Sequence, residues 1–182
     1  MNKRFTALAI LVALVFASLG SYVAYQKLQA KPPADGAVEK FFTLSLKNSQ
    51  GKPQALRQWE SKFIVLNFWA TWCKPCVQEM PELEALQKEF QSENVQLLGL
   101  GIDSPSNIAE FAQKHHISYP LFAAGLEGTD IAGAMGNTVG GLPFTVIITP
   151  EGRITKSYFG RLNMPELRAE LHKTLQSSQK NK

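Results

Sequence analysis

VLNFWATWCKPC, Val65 to Cys76, holds both cysteines of a 182-residue chain, and its reading decides the fold. Two thiols three positions apart make a poor staple, because a disulfide stabilises more when it closes a longer loop of the unfolded chain. Ahead of the pair, Lys62 to Trp69 is a near-continuous apolar run of the kind buried on both faces of a central strand. Behind it, Glu79 to Phe90 changes to helical spacing, with Met80, Leu83, Leu86 and Phe90 on one stripe. Cys73 therefore falls where a helix begins. The unpaired N–H groups at a helix N-terminus carry partial positive charge and stabilise a thiolate, the reactive species in disulfide exchange. Cys76, one turn further in, is placed to resolve a mixed disulfide formed at Cys73. Pro75 stiffens the first turn, where its missing donor costs nothing.

Outward from this motif the pattern stays regular. Phe41 to Leu46 reads as a strand, Asn48 to Lys52 as a turn, and Ala55 to Glu60 as a short helix or ordered loop. Val95 to Ile102 is a second buried strand, Ser106 to His115 an amphipathic helix, and Tyr119 to Phe122 a short strand. The glycine-rich stretch Gly125 to Gly141 holds a short helix near Asp130 to Met135. Phe144 to Ile148 and Arg153 to Phe159 form a hairpin around Pro150-Glu151-Gly152. Asn163 caps a last helix, with Glu166 completing a capping box and Leu167 and Leu171 spaced for burial. Strands alternating with helices and closing on a hairpin predict an α/β fold, a mixed sheet between helices.

Composition excludes several classes. The formal charge of +4 is spread without a basic run or aromatic ladder, which gives no footprint for nucleic acid. Two cysteines cannot form a secreted disulfide scaffold. A structural zinc site needs four ligands; there is no second C-x-x-C, and the three histidines are the diverging pair His115-His116 and His172. No metal site is expected, and no G-x-G-x-x-G fingerprint calls for a nicotinamide or flavin.

The N-terminus carries a different signal. Lys3 and Arg4 precede Phe5 to Tyr25, a run without a charged residue that matches the roughly 20 apolar residues needed to span a bilayer. Tyr22 and Tyr25 fall where an interfacial belt would lie. An uncleaved anchor is the favoured reading; a cleavable signal with Ser18-Leu19-Gly20 as its site is the alternative. Lys27 and Lys31 weaken the charge bias, yet a short stub before a single export-like segment favours a domain outside the cytoplasm. Gln26 to Ala37, with Pro32, Pro33 and Gly36, reads as a linker.

The motif, together with Gly141-Leu142-Pro143-Phe144-Thr145, resembles the thioredoxin superfamily, and specifically the TlpA/ResA-like membrane-anchored thiol-disulfide oxidoreductases, over Val38 to Leu175. The resemblance implies a thioredoxin-like domain at 38–177, behind a cytoplasmic stub at 1–4, a transmembrane helix at 5–25 and a linker at 26–37, with a disordered tail at 178–182. It implies a single-pass monomer in the cytoplasmic membrane with its catalytic domain in the periplasm. It also implies a redox-active Cys73–Cys76 disulfide and no other cofactor. Pro143 is similar to the family's cis-proline, whose geometry would leave the backbone of Leu142 free to pair with an extended substrate.

Asn67 stands where many thioredoxins carry a buried Asp, and Glu79 matches a Glu common in this branch. Glu79 has two readings: a proton acceptor for Cys76, or a solvated helix-face residue favoured by the dipole. Trp69 is expected in the core, Trp72 as a cover over the thiols, and Lys74 exposed with a modest effect on thiol charge. Implied partners are protein disulfides, for instance apocytochrome c thiols or an extracytoplasmic methionine sulfoxide reductase, with electrons from a membrane thiol donor. A thioredoxin-fold peroxidase is the rival enzyme, though its P-x-x-x-T-x-x-C pattern is absent. A non-catalytic peptide-binding module is the third reading.

Overall fold

A computed structural model of the chain describes residues 33–180, with side chains described for 36–178. The expected stub, membrane anchor and linker residues up to 32 lie outside the described residues, as do residues 181–182. Among the described residues, no helix is long and apolar enough to cross a membrane.

The elements run α1 (Pro33–Thr43), β1 (Ser45–Asn48), β2 (Pro53–Ala55), a 3-10 turn (Leu56–Trp59), β3 (Phe63–Trp69), α2 (Lys74–Glu89) and β4 (Val95–Gly101). They continue with α3 (Pro105–His115), β5 (Leu121–Ala123), α4 (Gly125–Ala134), β6 (Phe144–Ile148), β7 (Ile154–Phe159) and α5 (Met164–Lys180). The seven strands among the described residues form one sheet in the order β2-β1-β5-β4-β3-β6-β7. β3 pairs parallel with β4, and β4 with β5, while β6 runs antiparallel to β3. The mixed α/β sheet expected from the sequence is therefore present, with helices on both faces.

β3 is buried at every position, so both of its faces must be covered. Phe63, Val65 and Trp69 enter a cluster with Met80, Leu83 and Leu86 of α2, Ile108 and Phe111 of α3, and Leu167 and Leu171 of α5. Ile64, Leu66 and Phe68 enter the opposite cluster with Val38, Phe41 and Phe42 of α1 and Ile131 and Ala132 of α4. Period-two alternation thus divides one strand between two cores. The parallel strands β3, β4 and β5 finish at one edge of the sheet, and β6 begins there, with Phe68 opposite Phe144. That edge brings Cys73 and Pro143, 70 positions apart in sequence, to the same end of the molecule.

Five expectations need correction. The strand over Phe41 to Leu46 is instead the end of α1 followed by β1: Val38, Phe41 and Phe42 are all buried, and their i, i+3, i+4 spacing is helical. α1 also takes in residues 33–37, whose composition reads as linker, and α5 extends to Lys180, into the expected tail. The helix near Asp130 begins earlier, at Gly125, because packing overrides the low helix propensity of its three glycines. The strand near Tyr119 is Leu121–Ala123.

Gly99 of β4 shows how tightly side chains of the neighbouring strands close over the central sheet. A Cβ there would meet Leu121 Cδ2, would lie 3.1 Å from Trp69 Nε1 and 3.4 Å from Tyr119 Cε2. Gly99→Ala is expected to destabilise by about 1–3 kcal/mol through overpacking, read as a lower urea midpoint at unchanged slope. An unaltered midpoint would contradict this packing.

Candidate active site

Cys73 is the N-cap of α2: its backbone is extended, its carbonyl accepts from Val77 N at 3.1 Å, and its Sγ accepts from Cys76 N at 3.4 Å. Lys74 and Pro75 form the first helical positions, where proline is tolerated. The two cysteines form a disulfide. Cys73 keeps a small exposed edge at 6 %, and Cys76 is fully buried. Helix geometry thus gives the two cysteines different access, and the less buried residue is the one capping the helix.

Two loops from the far side of sequence complete this end. The Leu142–Pro143 peptide is cis, Pro143 is buried and Leu142 is half-buried against both cores. Asp103, just beyond β4, holds the turn in front of Cys73: Oδ2 accepts from both the backbone N and the hydroxyl of Thr71, while Oδ1 accepts from Ser104 N at 2.7 Å and Asn107 Nδ2 at 2.6 Å. Burial pushes the Asp103 carboxyl up, but these bonds outweigh it and hold it below the usual carboxylate range. Beside Thr71 and Val77 lies an open cavity of about 560 Å³, lined by Asn107, Glu110, Phe111, Lys114 and His115.

Trp69 is fully buried, its ring 4.8 Å from that of Phe111. Trp72 does not form the expected cover; at 70 % exposed it is a surface aromatic beside the pair rather than a packed lid. Lys74 is exposed, as expected.

Glu79 is the unusual group. It is fully buried one turn beyond Cys76 on α2, so the solvated helix-face reading does not hold. Its Oε1 accepts from Asn67 Nδ2 at 2.9 Å and its Oε2 from Leu162 N at 3.0 Å. Asn67 Nδ2 also donates to Thr145 Oγ1 at 3.0 Å, while Asn67 Oδ1 is buried and has no partner among the described residues. An amide suits a neighbour that changes protonation: it offers NH₂ to a carboxylate and, turned over, its oxygen to a carboxylic acid. An Asp at position 67 would instead set a like charge against Glu79. Burial pushes Glu79 from its ordinary 4.5 up to about 7, against the opposing pull of the Leu162 and Asn67 hydrogen bonds and the Arg161 charge.

The motif and Glu79 were visible in the sequence; Asp103, Thr145, Arg161 and the Leu162 amide were not singled out for the site. Asp103 had a weak signal, a short polar residue between a buried strand and the Ser104-Pro105 helix start. Among the described residues, no group of three His, Cys, Asp or Glu side chains could hold a metal ion.

The raised Glu79 pKa makes a signed prediction. Between about pH 4.5 and 7 the native state holds a proton that the unfolded chain has released, so stability falls as pH rises through this window. A difference of this size corresponds to about 3 kcal/mol. Urea unfolding of the oxidised protein at pH 5 and pH 8 should show Glu79→Gln gaining on the wild type at the higher pH. A constant difference between the two proteins would contradict the burial of an ionisable Glu79.

Comparison with known proteins agrees with this geometry. The sequence pattern of the AhpC/TSA family matches residues 38–157. The chain is 29% identical over 174 residues to the thiol-disulfide oxidoreductase ResA of Geobacillus thermodenitrificans, covering 93% of this chain and 95% of the relative. It is 30% identical over 160 residues to ResA of Halalkalibacterium halodurans, covering 87% and 88%. Among solved structures, a thioredoxin-family thiol:disulfide interchange protein from Chlorobium tepidum superposes with a TM-score of 0.65 at 23% identity, over 72% of this chain and 92% of that one. Peroxiredoxin Q of Xanthomonas campestris gives 0.59 at 22% identity, over 75% and 92%. At these identities the two structures establish the thioredoxin-like fold alone. The family pattern spans most of the described domain, and the chain belongs to the AhpC/TSA family, as a thioredoxin-like thiol-disulfide oxidoreductase.

Proposed function

We propose that this oxidoreductase reduces protein disulfides outside the cytoplasm, working from a membrane anchor at Phe5 to Tyr25. The observation that carries the reading is the Cys73–Cys76 disulfide at the N-terminus of α2, with Cys73 keeping a small exposed edge and Cys76 sealed in the core.

In the reduced protein, the Cys73 thiolate attacks one sulfur of a substrate disulfide; an S–S bond forms to Cys73 and a substrate thiolate leaves. Cys76 then gives its proton to the Glu79 carboxylate and attacks Cys73 Sγ. This closes the Cys73–Cys76 disulfide and releases the second substrate thiolate. Two electrons pass to the substrate, whose thiolates take up protons from water. Glu79 lies at i+3 from Cys76, on the same side of the helix, and a carboxyl near pH 7 is matched to taking a proton there. The substrate backbone lies along Leu142, beside Pro143, with Trp72 offering an exposed aromatic surface. Trp69, Lys74 and Pro75 shape the motif rather than react. A membrane thiol donor returns the pair to its dithiol form. Apocytochrome c thiols and an extracytoplasmic repair enzyme are the candidate acceptors, and the chain acts as a monomer.

Two features weigh against a peroxidase. Ala70 and Leu66 occupy the places of Thr and Pro in the peroxidase pattern. Arg57, the nearest arginine in sequence, pairs with Glu60 rather than with the cysteines. Peroxide chemistry needs a donor-rich pocket around the thiolate.

Cys73→Ser is expected to lose insulin-disulfide reduction by at least about a thousandfold, the scale of removing a catalytic nucleophile, while unfolding stays cooperative. Cys76→Ala should accumulate a mixed disulfide with substrate through Cys73. Retained activity in Cys73→Ser, or peroxide consumption faster than disulfide exchange in the wild type, would overturn the proposal.

A further inference from the structure

Gly160-Arg161-Leu162, between β7 and α5, touches three parts of the redox end within three residues. Gly160 N donates to the carbonyl of Pro143 at 2.9 Å. Leu162 N donates to Glu79 Oε2 at 3.0 Å, and Arg161 Nη2 pairs with Glu82 Oε1 at 3.1 Å. Gly160 has φ +75°, a conformation in which a side chain is strained, and this turn aims the next two residues back at α2. Glu82 follows Glu79 at i+3, so the ion pair and the buried carboxyl share one face of the helix. Arg161 and Glu82 are half exposed while Glu79 is sealed beneath.

Glu79 is faced from several elements. Arg161, from the β7–α5 connection, pulls its pKa down, and Glu82, on α2, pushes it up. Tyr119, ahead of β5, is a buried phenol that feels the Glu79 charge and is itself held neutral. Asn67 of β3 and Thr145 of β6 are uncharged, and the disulfide carries no charge. A guanidinium keeps its charge at any working pH. Arg161 is half exposed but Glu79 is buried, so the side of the pair that titrates is shielded from solvent.

We propose that Arg161 is a positioning residue for proton transfer: anchored by Glu82, it holds a fixed positive charge over the buried Glu79 carboxyl and keeps that group able to take the proton of Cys76. The proposal rests on the reading of Glu79 as that proton acceptor. The same three residues also tie the charge to the carbonyl of Pro143, so the substrate strand and the proton acceptor share one support.

The two halves of the ion pair should act with opposite sign. Arg161→Gln removes the cation and leaves Glu82 as an uncompensated like charge. Glu82→Gln removes the like charge and keeps at that position an amide oxygen that still accepts from Arg161 Nη2, so the cation stays. The test is a carboxyl ¹³C titration of the oxidised full-length protein labelled at glutamate, with Glu79 assigned through Glu79→Gln. Arg161→Gln should raise the Glu79 midpoint by about half a pH unit or more, Glu82→Gln should lower it, and Arg161→Lys should stay near the wild type. An unmoved midpoint in Arg161→Gln, or shifts of the same sign in Arg161→Gln and Glu82→Gln, would overturn the proposal. The titration needs no substrate, so it separates from the catalytic reading. If the midpoints move as stated while the pH profile of disulfide reduction does not follow them, Arg161 holds the charge and Glu79 is not the acceptor.

Discussion

Burying a carboxyl group costs several kcal/mol unless it stays protonated or hydrogen bonds replace its water, and Glu79 meets each condition in part. Two donors reach it, Asn67 Nδ2 and Leu162 N, from a central strand and from the loop before the last helix. The redox end depends on that arrangement. Asn67 also donates to Thr145 of β6, two positions past Pro143, and Gly160 donates to the carbonyl of Pro143 itself. A single buried acid therefore connects β3, α2, β6 and the β7–α5 connection. Its protonation changes within the pH range where thiol chemistry runs.

This arrangement places two opposing influences on the cysteines. The open N–H groups at the start of α2 stabilise a thiolate at Cys73, which favours the reduced pair and would make the disulfide oxidising. Burial of Cys76 and a carboxyl one turn away disfavour charge at the second sulfur, which moves the balance back toward the disulfide. A protein whose dithiol gives up electrons readily needs the second influence to be strong.

The features legible in the sequence are those with local signatures. β3 announces itself through its apolar run, the helix start through the C-x-x-C and Pro75, and the last helix through Asn163, whose Oδ1 does accept from Glu166 N at 3.1 Å. Local signals also misled. Phe41 and Phe42 read with Leu46 as a strand, although their neighbour Val38 completes a helical stripe. Gly125 and Gly128 hide the first half of α4, where a Cβ added at Gly128 would lie 2.9 Å from Ala124 Cβ. Partners of the site that come from distant sequence carried no readable spacing. Asp103 meets Thr71, and Arg161 meets Glu82, only because sheet order brings those loops to one edge. The burial of Glu79 belongs to the same class: its position matched a family pattern, but only the packed Leu162 loop seals it.

The central claim is that this buried pair is a donor of electrons to disulfides. The most direct test is the equilibrium reduction potential of Cys73–Cys76 against glutathione at pH 7. The account predicts a value close to or below the roughly −270 mV of thioredoxin, and a value near the roughly −120 mV of a strong oxidant such as DsbA would contradict it.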